Sequence, residues 1–211
     1  MNFNKILFLA PHADDELGCS ATLSKFIEQG SKVFIAVFTF SQESIPKKFD
    51  ENIGKVEFHK SMKILGINKK NIFEYNFKVR YFPRDRQGIL EELIVLKNKI
   101  KPDLILLPAS VDIHQDHHVI TKEGIRAFNK ISSIFGYEIP HNTSNFNSTG
   151  FIEIKNKHLQ TKIKCLNCYK SQKHRPYVKK KLLKSLARMR GIQSGVKMAE
   201  AFEIIKLRID L

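Results

Sequence analysis

The sequence predicts an α/β protein, a three-layer α/β/α sandwich built on a mostly parallel sheet. Short continuous apolar runs, which are typical of strands buried on both faces, alternate along the chain with segments of helical periodicity. Each of the first three helical segments also ends at a helix breaker, namely Gly30, Gly66 or Pro102. Strands and helices in regular alternation favour a parallel sheet covered by helices on both faces.

The individual elements follow from the same patterns. Residues 5–10 and 33–38 are apolar runs of strand length, and residues 104–107 form the clearest buried strand. Strands are expected over residues 5–10, 33–38, 72–75, 104–107, 134–139, 151–154 and 201–207. Helices are expected over residues 17–27, about 51–65, 89–100, about 118–128, 159–170 and 177–189. If the first four strands take the usual order 3-2-1-4, the first and fourth are neighbours.

The last predicted helix is basic and amphipathic. Val178, Leu182, Leu186 and Met189 share one face, and lysines and an arginine surround it. We expect this apolar stripe to pack against the sheet; the alternative is a helix lying on an anionic membrane. His174 and Arg175 precede the helix, and we interpret them as solvated charges, with contact to a phosphate as the alternative.

Length and composition set the broad class. The chain has 211 residues and three cysteines, which predicts a single domain over residues 1–211 without a disulfide framework. The apolar runs are shorter than the roughly 20 residues of a membrane span, and the first is too short for a signal-peptide core. A cytoplasmic protein is expected, with at most peripheral membrane contact.

The net charge of +15 leaves several classes of binding partner open. A basic chain suits nucleic acid, a membrane surface or an anionic substrate, and background enrichment in lysine is a further explanation. The basic residues are spread through most of the chain, and no aromatic-basic platform accompanies them. We therefore expect no nucleic acid as a partner and favour a small anionic substrate.

Two clusters of histidine and aspartate carry the chemistry. Residues 12–16 (His-Ala-Asp-Asp-Glu) directly follow the first strand, and residues 114–117 (His-Gln-Asp-His) follow the fourth. Ligands of an open parallel sheet bind outside the carboxyl ends of its strands, where the winding reverses. The two distant clusters should therefore meet in one crevice.

Such a crevice has the ligands of a catalytic metal. His12, Asp15 and His117 supply two imidazoles and a carboxylate, which suit zinc with one open position, and also iron(II). Asp14 would then act as general base on a water activated by the metal, and His114 would either donate to the developing oxyanion or protonate the leaving nitrogen. Asp116 would orient one imidazole. Taken singly, each cluster also fits a structural role, such as acidic residues favoured at a helix start.

The two motifs resemble the signatures of the PIG-L/LmbE family of zinc-dependent de-N-acetylases. Further similarities occur at residues 39–43, 57–66, 102–103, 137–140, 169–172 and 199–202. The resemblance implies a Rossmann-like fold, Zn²⁺ held by His12, Asp15 and His117, and Asp14 as general base. It also implies that His114 supports the tetrahedral intermediate and that Asp116 tunes a histidine. Family substrates are mostly N-acetylglucosamine conjugates.

Three positions depart from the family pattern. Ala13 replaces a proline, and Ser41 replaces a loop glycine. Gly54 or Lys55 stands where many members carry a substrate-binding arginine, so the substrate specificity does not transfer.

The residues predict metal-assisted hydrolysis of an amide or ester, and the resemblance implies that the reaction removes an N-acetyl group from an amino sugar. The substrate that the resemblance implies is an intermediate of surface-polysaccharide or glycoconjugate synthesis, with phosphorylated, nucleotide-linked and lipid-linked forms as the candidates. One alternative is hydrolysis of another amide, such as an N-formyl sugar or a cysteine conjugate. The other is a basic nucleic-acid- or membrane-binding module with a structural metal.

Overall fold

A computed structural model describes residues 3–208 and contains one seven-stranded sheet. The strands are β1 (Lys5–His12), β2 (Lys32–Thr39), β3 (Ile72–Glu74), β4 (Leu104–Pro108), β5 (Ser133–Tyr137), β6 (Gly150–Glu153) and β7 (Ala199–Lys206). Their order is β3-β2-β1-β4-β5-β7-β6. Strands β1 to β5 are parallel, and β7 runs antiparallel to both β5 and β6. The expected 3-2-1-4 order of the first four strands is confirmed.

Six helices cover the two faces of this sheet. They are α1 (Ser20–Glu28), α2 (Ile53–Leu65), α3 (Phe82–Ile100), α4 (Gln115–Phe128), α5 (Asn156–Leu166) and α6 (Lys180–Gln193). Side chains of β1 alternate between two apolar clusters, because successive strand residues point to opposite faces. Ile6 and Phe8 join α1, α2, α5 and α6, whereas Leu7 and Leu9 join α3 and α4. The predicted three-layer α/β/α sandwich is confirmed.

Some predicted boundaries differ from the structure. Helix α3 begins at Phe82 rather than at residue 89, because Pro83 fits the first helical turn, where a missing N–H costs little. Helix α5 ends at Leu166 rather than at residue 170. Strand β5 ends at Tyr137 rather than at residue 139.

The predicted buried face of the last helix was wrong. Leu182 and Met189 are 40% and 45% exposed, whereas Leu183, Ala187 and Arg190 are buried. The Arg190 guanidinium donates to the Glu138 carboxylate beneath the helix, with Nε and Oε2 3.0 Å apart. This polar pair fixes the rotation of α6, and a pattern of apolar residues does not reveal it.

The topology creates a crevice between β1 and β4. From β1 the chain winds outward through β2 to β3 and then crosses to β4 on the opposite side of β1. The loops that follow β1 and β4 therefore diverge at the carboxyl edge of the sheet, which is where ligands of such sheets bind. Among the described residues, no helix has both the length and the apolar character that crossing a bilayer requires.

Candidate metal centre

The two motifs meet at the carboxyl edge of the sheet. His12 is the last residue of β1, and Asp15 begins a short 3-10 turn directly after it. His114 caps the N-terminus of α4: its Nδ1 accepts from the Asp116 backbone N–H at 3.2 Å. His117 therefore lies in the first turn of α4, which begins at Gln115 rather than at about residue 118 as predicted.

Three side-chain atoms form a compact triangle. His12 Nδ1 lies 3.1 Å from His117 Nε2 and 3.5 Å from Asp15 Oδ2. Asp15 Oδ2 and His117 Nε2 are 3.3 Å apart. Ligands on a tetrahedral zinc ion with bonds of about 2.0–2.1 Å are separated by roughly 3.3 Å. The spacing and the chemistry of these donors therefore fit one divalent cation.

His114 offers a competing donor. Nitrogen atoms of His12, His114 and His117 lie within 4.8 Å of one another, which is a looser set than the triangle that includes Asp15. The shorter distances and the negative charge favour Asp15 over His114 as the third ligand.

A buried carboxylate stands behind each of the two triangle imidazoles. Asp116 Oδ2 is 3.0 Å from His12 Nε2, and it accepts the Arg80 backbone N–H at 2.7 Å. Asp112 Oδ2 is 2.7 Å from His117 Nδ1. Each imidazole thus presents its other nitrogen to the triangle, and such carboxylates orient metal-binding histidines and raise their basicity.

Asp112 was not predicted from the sequence. One carboxylate, Asp116, was expected behind the histidines, and the structure shows two. Asp112 also accepts the His114 backbone N–H at 2.9 Å, so it organises the turn before α4. The available signal was an aspartate two residues before a His-x-x-His spacing in a loop that follows a buried strand.

Burial and charge act together on the ionisable groups of the triangle. Burial lowers the pKa of His117, but the adjacent Asp15 and Asp112 outweigh it and raise the pKa to about 10. Burial raises the pKa of Asp15, yet His117 and His12 hold it well below its usual value. Without a metal, the triangle is therefore an ion pair between an imidazolium and a carboxylate.

Asp14 lines a cavity of about 180 Å³, together with His12, Asp15 and His117. Burial and the neighbouring Asp15 raise the pKa of Asp14. The Tyr177 hydroxyl donates to Asp14 Oδ2 at 3.4 Å, and the Tyr177 ring stacks on His141 with centroids 3.9 Å apart. Neither Tyr177 nor His141 was singled out for the site from the sequence, because both come from loops far from the two motifs.

His114 also lines this cavity. Because its Nδ1 accepts a backbone hydrogen bond, the neutral ring carries its proton on Nε2. Burial, His12 and His117 lower its pKa to about 4, so the ring is neutral at physiological pH. His114 therefore offers one N–H donor to the cavity.

The three departures from the family pattern have distinct structural outcomes. Ser41 adopts φ 55°, a left-handed conformation in which glycine is unstrained. A Cβ atom on Gly54 would lie 2.6 Å from the Phe40 carbonyl oxygen, so this position has no room for a side chain. Lys55 Nζ pairs with Glu74 at 2.6 Å, and neither Gly54 nor Lys55 lines the cavity. Ala13 is buried.

Comparison with known proteins decides the family. The profile described as "PIG-L: GlcNAc-PI de-N-acetylase" matches residues 7–128, which is more than half of the chain. The chain belongs to the PIG-L family. The resemblance seen in the sequence is confirmed, and the protein is an amidohydrolase, as the members of this family are.

One curated protein and two solved structures show the similarity of individual proteins to this chain. "Uncharacterized deacetylase YaiS" of Escherichia coli K12 is 28% identical over 174 residues, which cover 79% of this chain and 90% of the relative. N,N'-diacetylchitobiose deacetylase from Pyrococcus horikoshii superposes with a TM-score of 0.77 at 21% identity, over 96% of this chain and 84% of that one. The conserved protein TT1542 from Thermus thermophilus superposes with a TM-score of 0.78 at 22% identity, over 98% and 96% of the chains. These two structures share the fold.

Proposed function

We propose that the protein is a zinc-dependent hydrolase that removes the N-acetyl group from an amino sugar of the N-acetylglucosamine type. The observation that carries this proposal is the triangle of His12 Nδ1, Asp15 Oδ2 and His117 Nε2 beside a carboxylate, Asp14, that faces the cavity. The substrate would be an intermediate of surface-polysaccharide or glycoconjugate synthesis.

His12, Asp15 and His117 are the residues that would hold the metal. A mixed imidazole and carboxylate set suits zinc, although iron(II) accepts the same donors. A divalent cation bound there would supply a Lewis acid that polarises the amide carbonyl and lowers the pKa of water. The carboxylates of Asp112 and Asp116 would keep both imidazoles in the tautomers that ligation requires.

Asp14 is the proposed general base. Its carboxylate takes a proton from a water molecule in the cavity, and the water oxygen adds to the amide carbonyl carbon. Asp14 then returns the proton to the amide nitrogen as the C–N bond breaks, which releases acetate and the free amine. The raised pKa of Asp14 suits this exchange, because a base with a pKa closer to neutrality both takes and returns a proton readily.

His114 is the proposed oxyanion donor. The N–H at Nε2 would donate to the carbonyl oxygen as that oxygen gains negative charge. The neutral imidazole can donate here, because its Nδ1 accepts the Asp116 N–H and its single ring proton is therefore on Nε2. Asp116 is a positioning residue in this scheme, because it contacts His12 and orients that imidazole.

The relatives' names support the choice of substrate. The family description names a de-N-acetylase of a GlcNAc compound, and one solved relative is named for diacetylchitobiose. An N-formyl sugar or a cysteine conjugate is the nearest alternative, since the same reaction cleaves either amide.

The three cysteines of the chain are free thiols, which fits a protein of the reducing cytoplasm.

Release of acetate tests the proposed function. Zinc-loaded protein is incubated with N-acetylglucosamine, its 1- and 6-phosphates, its nucleotide conjugate and diacetylchitobiose, and the corresponding N-formyl sugars are run in parallel. We expect acetate and free amine in equal amounts from at least one N-acetyl sugar. Release of formate without acetate would show that the enzyme removes a formyl group rather than an acetyl group. No release from any sugar would remove the amino-sugar assignment.

A further inference from the structure

Arg175 lies on the wall of the cavity that Asp14 and His114 line, in the loop between two short 3-10 turns, Lys170–Gln172 and Pro176–Val178. Its side chain is half-buried, and its buried Nε has no hydrogen-bond partner. Within residues 3–208, the guanidinium forms no ion pair with any carboxylate. Among the described residues that line the cavity, it is the one lysine or arginine.

Buried cations elsewhere in the molecule are paired. Arg190 donates to both carboxylate oxygens of Glu138, and Lys162 Nζ lies 2.5 Å from Glu200 Oε1. Leaving a partly buried guanidinium without a partner costs free energy, and its planar fork of N–H donors matches carboxylate and phosphate groups. The guanidinium of Arg175 can therefore bind an anion from outside the chain.

The surroundings of Arg175 connect it to the reacting groups. Its guanidinium lies 5.8 Å from the centroid of the Tyr177 ring, and the Tyr177 hydroxyl donates to Asp14. Gln172 and Ser44 line the same cavity and add neutral polar groups. An amino sugar with its amide beside Asp14 can therefore place a ring substituent against this wall.

We propose that Arg175 binds an anionic substituent, a phosphate or a carboxylate, carried by the amino-sugar substrate. The inference rests on the proposed function and deepens it, because it names the feature by which the enzyme selects its substrate. The proposal replaces the favoured interpretation of Arg175, a solvated charge, by the alternative that the sequence left open, contact with a phosphate.

A different role for Arg175 must be separated from this one. The guanidinium also acts electrostatically on Asp14. If that were its whole role, removal of the charge would slow neutral and anionic substrates by the same factor. The ratio of kcat/KM between the two kinds of substrate therefore isolates anion binding.

The kinetic test compares three kinds of sugar. The anionic substrates are N-acetylglucosamine 1-phosphate and 6-phosphate for the phosphate and N-acetylmuramic acid for the carboxylate; N-acetylglucosamine is the neutral reference. We expect wild-type protein to prefer at least one anionic sugar, and Arg175→Gln to lower that preference about 10- to 100-fold, mainly through KM. Arg175→Lys should retain part of it. Lys173→Gln removes an exposed charge from the same loop and should leave the preference unchanged.

A binding measurement provides a readout besides turnover. Calorimetry with glucosamine 6-phosphate, glucosamine 1-phosphate and glucosamine should show tighter binding of at least one phosphate by wild type than by Arg175→Gln. If no sugar is deacetylated but this difference persists, the proposed function fails and the anion site stands. An equal loss for neutral and anionic sugars, an equal effect of Lys173→Gln, or no anionic preference in wild type would overturn the anion site alone.

Discussion

The two sides of the cavity are built differently. One is the His/Asp cluster, in which His12, Asp15 and His117 line the cavity and Asp116 and Asp112 contact the far ring nitrogens of the two histidines. The other is the loop wall, which comprises Ser41, Ser44, Gln172, Arg175 and Tyr177. All members of the cluster are buried, whereas all members of the wall are half-buried.

The hydrogen bonds show the same contrast. Within the cluster, Asp116 is 3.0 Å from the His12 ring and accepts two backbone N–H groups, and Asp112 holds His117 while it shapes the turn before α4. In the wall, Tyr177 contacts Asp14 through one long hydrogen bond, and the Arg175 side chain has no such bond to a described residue. The end of β1, the turn before α4 and the first turn of α4 thus fix the groups proposed for the chemistry, whereas the loop wall carries the groups proposed for substrate selection.

Asp14→Asn should have the largest effect, because Asp14 is the proposed general base. Asp14 precedes Asp15 of the cluster and accepts from Tyr177 of the loop wall. A general base contributes about 10²- to 10⁴-fold, so we expect kcat to fall about 1,000-fold while the zinc content stays at the wild-type value. Steady-state kinetics and elemental analysis of the same preparation check both parts. Asp85→Asn, outside the cavity, is the matched control. A variant with wild-type turnover would remove Asp14 from the mechanism.

Asp112→Asn should weaken metal binding within the cluster. Asparagine cannot satisfy both the His114 N–H and the His117 Nδ1 proton, so the His117 tautomer suited to ligation loses its support. We expect about 10- to 100-fold weaker zinc affinity, measured by competition with a chelator. Unchanged affinity would show that Asp112 only shapes the turn. Replacement of a wall residue, as in Gln172→Ala, should leave the affinity as it is.

Zinc binding should depend on pH because the metal competes with a proton on His117. The pKa of this group is raised to about 10, so the ring is protonated at pH 7 and must lose its proton to bind. The apparent affinity should therefore rise about tenfold per pH unit between pH 6 and 8. Calorimetry in buffers of different ionisation enthalpy should detect release of at least about one proton. Affinity that is constant with pH would contradict the ion-pair description of the metal-free triangle.

Lys55→Ala should have the smallest effect. Lys55 is one of the two residues, with Gly54, that stand where many family members carry an arginine, but its ammonium pairs with Glu74 outside the cavity. We expect kcat/KM to change less than about twofold, since exposed ion pairs contribute little. A larger loss of kcat/KM would show that Lys55 also takes part in substrate binding, as the residues of the loop wall are proposed to do.

Much of the fold was predictable because its signals are local. Continuous apolar runs marked β1, β2 and β4, and the motifs that follow β1 and β4 lie at strand ends that a parallel sheet brings together. The proximity of His12 to His117 followed from that topology. The roles of these residues stay proposals that the experiments above address.

The remaining features were not predictable because they depend on tertiary contacts. Arg190 turns the face of α6 inward by pairing with Glu138, which lies 52 residues away. Tyr177 reaches Asp14 from a loop 163 residues later in the chain. Periodicity and short motifs report neighbours along the chain, so they reveal neither the loop wall nor the unpaired state of Arg175.

Anomalous diffraction at the zinc edge from zinc-loaded crystals is the sharpest test of the proposed metal site. We predict one strong peak per chain, about 2.0–2.2 Å from His12 Nδ1, Asp15 Oδ2 and His117 Nε2, with Asp14 outside the ligand sphere. A peak elsewhere, ligation of His12 through Nε2, or His114 in place of Asp15 would contradict it.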